Sequence, residues 1–258
     1  MDGFEDRVAV VTGAAAGIGE AVARGLARRG ANVAAVDLDA AGVHTLTGKL
    51  AGPGRHAAYP TDVRDPVGVD AMVERVEADL GPIGLLVNVA GVLRTGPAVA
   101  MSDEDWAAVF AVNTFGVFHT CRAVGRRMSA RGAGCIVTVA SNAAGVPRMD
   151  MSAYAASKAA AAHFTRCLAL ELAPQGIRCN VVAPGSTDTP MLRSMWHDGQ
   201  GAQSTIDGRP EQYRPGIPLR KLARPDEVAD AVLFLASDQA SHITMQDLYV
   251  DGGAALRA

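Results

Sequence analysis

Strand-length apolar runs alternate with longer helical patterns along this chain of 258 residues. Residues 7–12 form a β-branched run, and residues 18–29 then repeat an apolar side chain every four positions on one face. Because the strands are apolar on both sides, the pattern predicts an α/β protein with a doubly wound parallel sheet flanked by helices on both faces. The remaining predicted strands are 32–37, 55–59, 85–88, 135–140, 178–182 and 248–250, and the remaining predicted helices are 40–50, 65–80, 102–128, 152–172 and 225–236.

One long segment interrupts this alternation. Residues 186–215 are rich in Gly, Gln, Asp and Pro and have weak periodicity. A connection of that length in a compact domain is usually a functional lid or a disordered segment, and we interpret it as a substrate lid. No repeat or linker divides the chain elsewhere, so residues 1–258 are expected to form a single domain. Ligands of such sheets bind beyond the carboxyl ends of the strands.

Composition and charge exclude several classes of protein. Lys and Arg number 24 against 27 Asp and Glu, which gives a net charge of −3 and argues against nucleic acid as a partner. No apolar run approaches the ~18 residues of a membrane helix, and the acidic first residues do not resemble a signal peptide, so we expect a cytoplasmic protein with no membrane partner. The cysteines stand in apolar segments without metal-ligand spacing and predict buried, reduced thiols and no metal site: Cys121, Cys135, Cys167 and Cys179.

Three glycines between the first strand and the first helix indicate a dinucleotide site of the Rossmann type. Gly13, Gly17 and Gly19 permit a tight turn, close approach of the backbone to a pyrophosphate, and close contact between helix and strand. The helix, which starts near Ile18, presents backbone N–H groups to the phosphates. Asp37 ends the second strand, where a carboxylate accepts hydrogen bonds from both ribose hydroxyls and repels a 2′-phosphate. The sequence therefore favours NAD over NADP.

The third and fourth strands are followed by further candidates for cofactor binding. Asp62 and Val63 could bracket an adenine, although a helix cap for the segment beginning near residue 65 explains Asp62 almost as well. After the fourth strand, Asn88 precedes the small residues Ala90 and Gly91, which would let the backbone pass beside a cofactor.

Tyr154 and Lys158 are the strongest candidates for chemistry. Four residues apart on one predicted helix, they lie on the same face about one turn apart. Since a tyrosine has a reference pKa of ~10, a base near pH 7 needs its pKa lowered by roughly 3 units, which a nearby ammonium favours. Ser141, at the end of the fifth strand, is placed to hold a substrate oxygen.

Taken together and in this order, these residues resemble the short-chain dehydrogenase/reductase family over essentially the whole chain. The resemblance implies that Asn113, Ser141, Tyr154 and Lys158 form a catalytic tetrad, with Asn113 supporting a water that links Lys158 to solvent. It also implies that Leu38 belongs to the cofactor site. By the same resemblance the segment after the sixth strand holds the nicotinamide carboxamide: Pro184, Gly185, Thr187 and Thr189. Val89 departs from the asparagine that the family usually has there.

Within the family, residues 141–154, 185–189 and 242–246 are similar to members that make a catechol for siderophore biosynthesis. That similarity implies oxidation, with NAD, of a small anionic cyclohexadiene carboxylate. An amino-substituted dihydro ring acid would suit the same residues equally well. A cofactor-binding protein without catalysis is a third alternative, but it predicts loss of tetrad residues. The resemblance further implies a homo-oligomer, commonly a tetramer, while the same alanine-rich helices could simply cover the sheet.

Substrate-binding residues are less sharply defined. A carboxylate is matched by a guanidinium fork, and Arg94 and Arg148 are the candidates, each of which could equally be an ordinary exposed arginine. Met149, Met191 and Trp196 are expected to wall the ring, and core packing explains any one of them as well.

Overall fold

A single parallel sheet organises the computed structural model, which describes residues 3–196 and 201–256. Its strand order is β3-β2-β1-β4-β5-β6-β7. Successive strands are added on one side of β1 as far as β3 and on the other side from β4 onward, so the strand order reverses between β1 and β4. This topology confirms the predicted fold class. The strands are β1 Val8–Thr12, β2 Asn32–Asp37, β3 His56–Pro60, β4 Ile83–Asn88, β5 Gly134–Val139, β6 Ile177–Pro184 and β7 Asp247–Val250.

Helices cover both faces of the sheet. Two of them coincide with the sequence prediction, because Pro174 follows one and Pro225 starts the other. The helix predicted at residues 40–50 ends earlier, at Thr47, with Gly48 as its C-cap. The helices are α1 Gly17–Arg28, α2 Ala40–Thr47, α3 Pro66–Leu80, α4 Asp103–Phe110, α5 Val117–Arg131, α6 Ser152–Leu172, α7 Pro190–Arg193, α8 Ala202–Asp207 and α9 Pro225–Ala236.

The long helix predicted at residues 102–128 is interrupted. Ser102 caps it as expected by accepting the Asp105 N–H at 3.1 Å, but Ala111–Gly116 forms a π-helical turn between α4 and α5. Such turns are rare and often occur at functional sites, because an extra residue in the turn shifts the side chains that follow. Asn113 lies in this turn and is fully buried.

Alternate residues of each strand pack into two apolar cores, one on each face of the sheet. Val11 and Leu85 pack with α1 and α9 on one face, whereas Val10 and Leu86 pack with α3, α5 and α6 on the other. All four side chains are completely buried. Neighbouring residues of a strand point to opposite faces, so the continuous apolar runs reflect burial on both sides.

In the part of the chain that the structure describes, the helical segment Asp103–Arg131 is long and apolar enough to cross a membrane, judged by length and composition alone. The sequence analysis did not anticipate such a segment. Cys121 and Val124 from this segment are fully buried in the core under the sheet. A core helix of a globular protein meets the same criteria, so one such helix is weak evidence for a membrane span.

Three cysteines match the expectation of buried thiols, and the fourth does not. Cys121, Cys135 and Cys179 are buried, and burial raises the pKa of Cys121 to about 12. Cys167 is exposed, which corrects the expectation for that residue, because its position on α6 faces away from the sheet. Within the described ranges, no three His, Cys, Asp or Glu side chains are grouped as metal ligands.

Candidate active site

A cavity of about 510 Å³ opens at the carboxyl edge of the sheet. Residues that follow six of the seven strands line it, which is where the sequence placed the ligand site. Asp37 ends β2 and Ser141 follows β5, with β1 and β4 between them in the sheet. The cavity therefore extends across the point where the strand order reverses.

The glycine turn after β1 is built for close backbone contacts. Gly13 has φ +67°, and a Cβ atom there would lie 2.7 Å from the backbone of Ala90. A Cβ on Gly19 would lie 2.0 Å from the carbonyl oxygen of Gly13. Gly19 thus lets helix and turn pack together without lining the cavity, whereas Gly13, Gly17 and Ile18 line it. The N-cap residue of α1, Ala16, has no side-chain acceptor for the N–H groups of the first turn.

Asp37 is held in place by backbone donors. Its Oδ2 accepts the Ala15 N–H and its Oδ1 accepts the Asp39 N–H, both at 3.0 Å. These bonds tie the end of β2 to the glycine turn. Asp37 and the exposed Leu38 both line the cavity.

Asp62 and Val63 line the cavity beyond β3, and the helix-cap alternative for Asp62 is wrong. Asp65 is the N-cap of α3 and accepts the Val67 N–H at 3.0 Å. Asp62 instead accepts three hydrogen bonds from the Arg64 guanidinium, one at 2.6 Å and two at 2.9 Å, which lower the pKa of the Asp62 carboxyl. Arg64 also lines the cavity, and the sequence analysis did not identify it.

His119, to which the sequence gave no role, fixes this end of the cavity from below. Its Nδ1 lies 2.9 Å from the carbonyl oxygen of Val63. A carbonyl can only accept a hydrogen bond, so Nδ1 carries the hydrogen.

After β4, the small residues line the cavity and the asparagine does not. Ala90 and Gly91 line it. Asn88 is turned inward, where its Oδ1 accepts the Thr120 hydroxyl at 2.7 Å and its Nδ2 contacts Cys121 Sγ at 3.2 Å. Its position makes Asn88 a support of the strand end, which corrects the expectation of direct contact with a cofactor.

Asn113 connects the π-helical turn to the cavity wall. Its Oδ1 accepts the Val92 N–H at 2.8 Å, and its Nδ2 donates to the Val92 carbonyl and the Ser157 hydroxyl, each at 3.0 Å. A Cβ on Gly91 would lie 3.3 Å from both Asn113 Oδ1 and Lys158 Nζ, so these groups converge at one point. The side chain itself does not line the cavity.

Ser141, Tyr154 and Lys158 all line the cavity and are all buried. Lys158 Nζ donates to the Val139 carbonyl at 3.0 Å and lies 5.9 Å from the centroid of the Tyr154 ring. Burial raises the pKa of Tyr154, and its hydrogen bond with Ser141 lowers it. Burial lowers the pKa of Lys158 to about 8. The three side chains therefore lie together at the cavity wall.

The end of β6 and the segment after it line the cavity. The Gly185 N–H donates to the Val250 carbonyl at 3.0 Å, which ties the segment to β7. The Thr189 hydroxyl caps α7 by accepting the Leu192 N–H at 3.2 Å. Cavity-lining residues of this segment are Pro184, Gly185, Thr187 and Thr189.

Of the five expected substrate residues, two line the cavity. Arg148 is half-buried there, and its Nη2 donates to the Ala254 carbonyl at 3.3 Å. Burial lowers the pKa of Arg148, and the charge of Asp251 raises it. Met191 also lines the cavity, at the start of the lid.

The other three lie outside the cavity, which corrects those expectations. Arg94 is exposed and forms an ion pair with Asp105 at 3.4 Å, so α4 holds its guanidinium away from the site. Met149 is 53% exposed. Trp196 is not among the lining residues, and its buried indole nitrogen has no hydrogen-bond partner in the described parts of the chain. Spacing along the sequence did not reveal these orientations.

Residues 186–215 contain ordered elements, not one open loop. They include α7, α8 and a closed hairpin of residues 209–214, while residues 197–200 lie outside the described ranges. Arg214, at the end of the hairpin, lines the cavity. The sequence analysis missed it because weak periodicity in this segment gives no indication of which side chain points inward.

Comparison with known proteins assigns the family. A family profile described as "Enoyl-(Acyl carrier protein) reductase" matches residues 13–255. The chain is 56% identical to the 2,3-dihydro-2,3-dihydroxybenzoate dehydrogenase of Bacillus subtilis, over 98% of each chain. A short-chain type dehydrogenase/reductase from Mycobacterium marinum superposes with a TM-score of 0.88 and 32% identity, covering 97% of this chain and 96% of its own.

A 3-ketoacyl-(acyl-carrier-protein) reductase from Brucella melitensis, solved as a complex with NADH, superposes with a TM-score of 0.87 at 33% identity. That match covers 98% of this chain and 99% of the reductase. The chain therefore belongs to the short-chain dehydrogenase/reductase family of oxidoreductases.

Proposed function

We propose that this chain oxidises 2,3-dihydro-2,3-dihydroxybenzoate to 2,3-dihydroxybenzoate with NAD+, as a step of catechol siderophore biosynthesis. The observation that carries the proposal is the single cavity that contains Ser141, Tyr154 and Lys158 together with the glycine turn. The 56% identity to the Bacillus subtilis enzyme of that name supports the choice of substrate. Asp37, which faces the cavity, supports NAD over NADP.

The residues around the glycine turn fit a dinucleotide. A Cβ on Gly13 would collide with Ala90, so the turn lies flat against the end of β4 and leaves room above it. N–H groups in the first turn of α1, without a side-chain cap at Ala16, suit a pyrophosphate. Asp37 and Asp62 are placed to bind the ribose and the adenine. Bound there, an oxidised nicotinamide supplies the acceptor for a hydride from the ring carbon C3.

The chain's own groups handle the accompanying proton. Ser141 holds the C3 hydroxyl oxygen, and Tyr154 Oη accepts the hydroxyl proton as the C–H bond breaks. Lys158, as an ammonium, stabilises the phenolate form of Tyr154 that accepts this proton, and would bind the ribose beside it. Asn113 fixes the backbone of Val92 beside Lys158. The ring ketone that forms tautomerises to a catechol, and the gain of aromaticity draws the oxidation forward.

We further propose that the chain is a single catalytic domain with residues 186–215 as its substrate lid, and that it works in the cytoplasm as a homotetramer. Large apolar side chains on α4, α6 and the helical segment between them support self-association: Trp106 is 44% exposed, Phe115 55% and Leu170 66%. Apolar groups of this size on one surface are typical of protein interfaces.

The choice of ring acid is tested by comparing two substrates. Purified enzyme and NAD+ are mixed with 2,3-dihydro-2,3-dihydroxybenzoate or with 2,3-dihydro-3-hydroxyanthranilate, and the absorbance of the reduced cofactor is followed. We expect a higher kcat/KM for the dihydroxy acid. A higher kcat/KM for the amino acid would assign the enzyme to the alternative reaction.

Tyr154→Phe should abolish turnover while dinucleotide binding is retained. The substitution removes only the oxygen that accepts the proton, and loss of a general base costs at least ~10²-fold in kcat. NADH fluorescence titration measures binding separately. Tyr59→Phe is the matched control, because the Tyr59 hydroxyl donates to Asp79 at 3.1 Å, away from the cavity. Full activity in Tyr154→Phe would contradict the mechanism.

Asp37→Asn should reduce the preference for NAD+ over NADP+. Removing the carboxylate charge removes its repulsion of a 2′-phosphate, and about 1.4 kcal/mol of repulsion corresponds to a tenfold change in the kcat/KM ratio. Steady-state kinetics with both cofactors give the ratio. Asp39→Asn, next to the site but outside the cavity lining, should leave it unchanged. A wild-type enzyme that prefers NADP+ would overturn the proposed role of Asp37.

The depressed pKa of Lys158 predicts a stability that depends on pH. The folded protein has a pKa of about 8 at Lys158 against 10.5 as the ordinary value, so the unfolded chain binds more protons between these pH values. The contribution of Lys158 to the free energy of unfolding is therefore fully present above pH 10.5 and is lost as the pH falls through 8. We expect the free energy of unfolding to rise by about 2 kcal/mol from pH 8 to pH 10 relative to Lys158→Met.

Urea unfolding of both proteins at pH 8, 9 and 10 measures this difference. Tyr154 is present in both proteins, so the effect of its raised pKa cancels in the difference between them. A constant difference between the two proteins over the range would show that Lys158 titrates as it does in water.

A further inference from the structure

Arg214 occupies a position that the lid fixes closely. The hairpin of residues 209–214 is closed by two backbone hydrogen bonds: the Arg209 N–H donates to the Arg214 carbonyl at 2.8 Å, and the Arg214 N–H donates to the Arg209 carbonyl at 3.0 Å. Gly208 (φ +87°) and Gly216 (φ +84°) turn the chain on either side. The Ile217 N–H donates to the Ile206 carbonyl at 2.8 Å and closes the base of the loop. The Arg214 side chain is therefore directed from a rigid support.

The guanidinium of Arg214 lies in the same cavity as Arg148. Its Nη2 donates to the Ser186 hydroxyl at 3.0 Å, next to the segment that follows β6. Both arginines are half-buried. Burial lowers the pKa of Arg214, and the positive charges of Arg148 and Arg209 lower it further. Two like charges thus share one partly enclosed space.

No carboxylate in residues 3–196 or 201–256 forms an ion pair with either Arg148 or Arg214. Asp251 acts on Arg148 at longer range, and its oxygens already accept other donors: Oδ1 accepts the Gly253 N–H at 2.9 Å, and Oδ2 accepts the Ala255 N–H at 2.8 Å. The Asn142 amide donates to the same Oδ2 at 3.1 Å. Among the described residues, the positive charge in this part of the cavity therefore has no direct carboxylate partner.

Given the proposed function, on which this inference rests, we propose that Arg214 and Arg148 together bind the ring carboxylate and set a preference for a carboxylated ring over the same ring without that group. Two guanidinium groups approach one carboxylate from the lid and from the segment before α6. A guanidinium donates paired hydrogen bonds that match the two carboxylate oxygens. Arg214 is thus a specificity-determining residue that also links the lid to the substrate.

The test compares two rings that differ only in the carboxylate. Wild type, Arg214→Met and Arg214→Lys are assayed with NAD+ on 2,3-dihydro-2,3-dihydroxybenzoate and on 5,6-dihydroxycyclohexa-1,3-diene. We expect Arg214→Met to lose roughly 30-fold or more in kcat/KM on the carboxylated ring, mostly through KM, because one partner of a half-buried charged contact is removed. On the uncarboxylated ring it should match wild type. Arg214→Lys, which keeps the charge without the fork, should lose less on the acid.

Two controls separate this inference from a structural effect. Arg220→Met removes the same charge from an exposed ion pair with Asp207 and should not change either substrate's kcat/KM. NADH titration of Arg214→Met should give the wild-type Kd. An equal loss on both rings, a weaker Kd for NADH, or no loss on either ring would overturn the role of Arg214. A wild-type enzyme that does not oxidise the carboxylated ring with NAD+ would instead contradict the proposed function.

Discussion

Close backbone contact between the end of β1 and the end of β4 determines the shape of the whole site. Gly13 passes so near Ala90 that a Cβ would be only 2.7 Å away, and Gly19 packs against Gly13 in the same way. The Thr12 hydroxyl accepts the Val89 and Ala90 N–H groups at 3.1 and 3.2 Å and keeps the two strand ends together. Because the strand order reverses between these two strands, the contact forms the floor of a crevice into which all later elements direct their side chains.

The acid–base group depends on a second connection, which runs through the π-helical turn. Asn113 has its amide fully engaged by Val92 and Ser157, so the turn, the end of β4 and α6 are held in one arrangement. Lys158 is on the same helix as Ser157 and meets Asn113 beside Gly91. A regular helix at this point would place the Asn113 side chain elsewhere on the helix surface. The irregular turn therefore places Asn113 where it connects the end of β4 to α6 beside Lys158.

The sequence predicted the features that depend on residues close together in the chain. It missed the features that depend on contacts between segments far apart in the chain. The 21-residue helix α6 was predicted at both ends, and its end has a local cause because Pro174 follows it. Tyr154 and Lys158 were placed together for the same reason, since helical spacing alone brings them to one face. The prediction that Arg94 lies at the substrate site was wrong, because its side chain forms an ion pair with Asp105 on α4 and points outward.

Arg214 is a cavity residue that the sequence could not predict, and it lies in the segment proposed as the lid. Nothing in the composition of residues 186–215 distinguishes this arginine from Arg209, because the hairpin that turns one of them into the cavity forms only when its two ends pair. Once formed, the hairpin brings a second guanidinium into the cavity that Arg148 lines, where burial and the charge of Arg148 lower the pKa of Arg214. Under the proposed role of Arg214, a carboxylate on the substrate would supply the negative charge that these two guanidinium groups lack among the described residues.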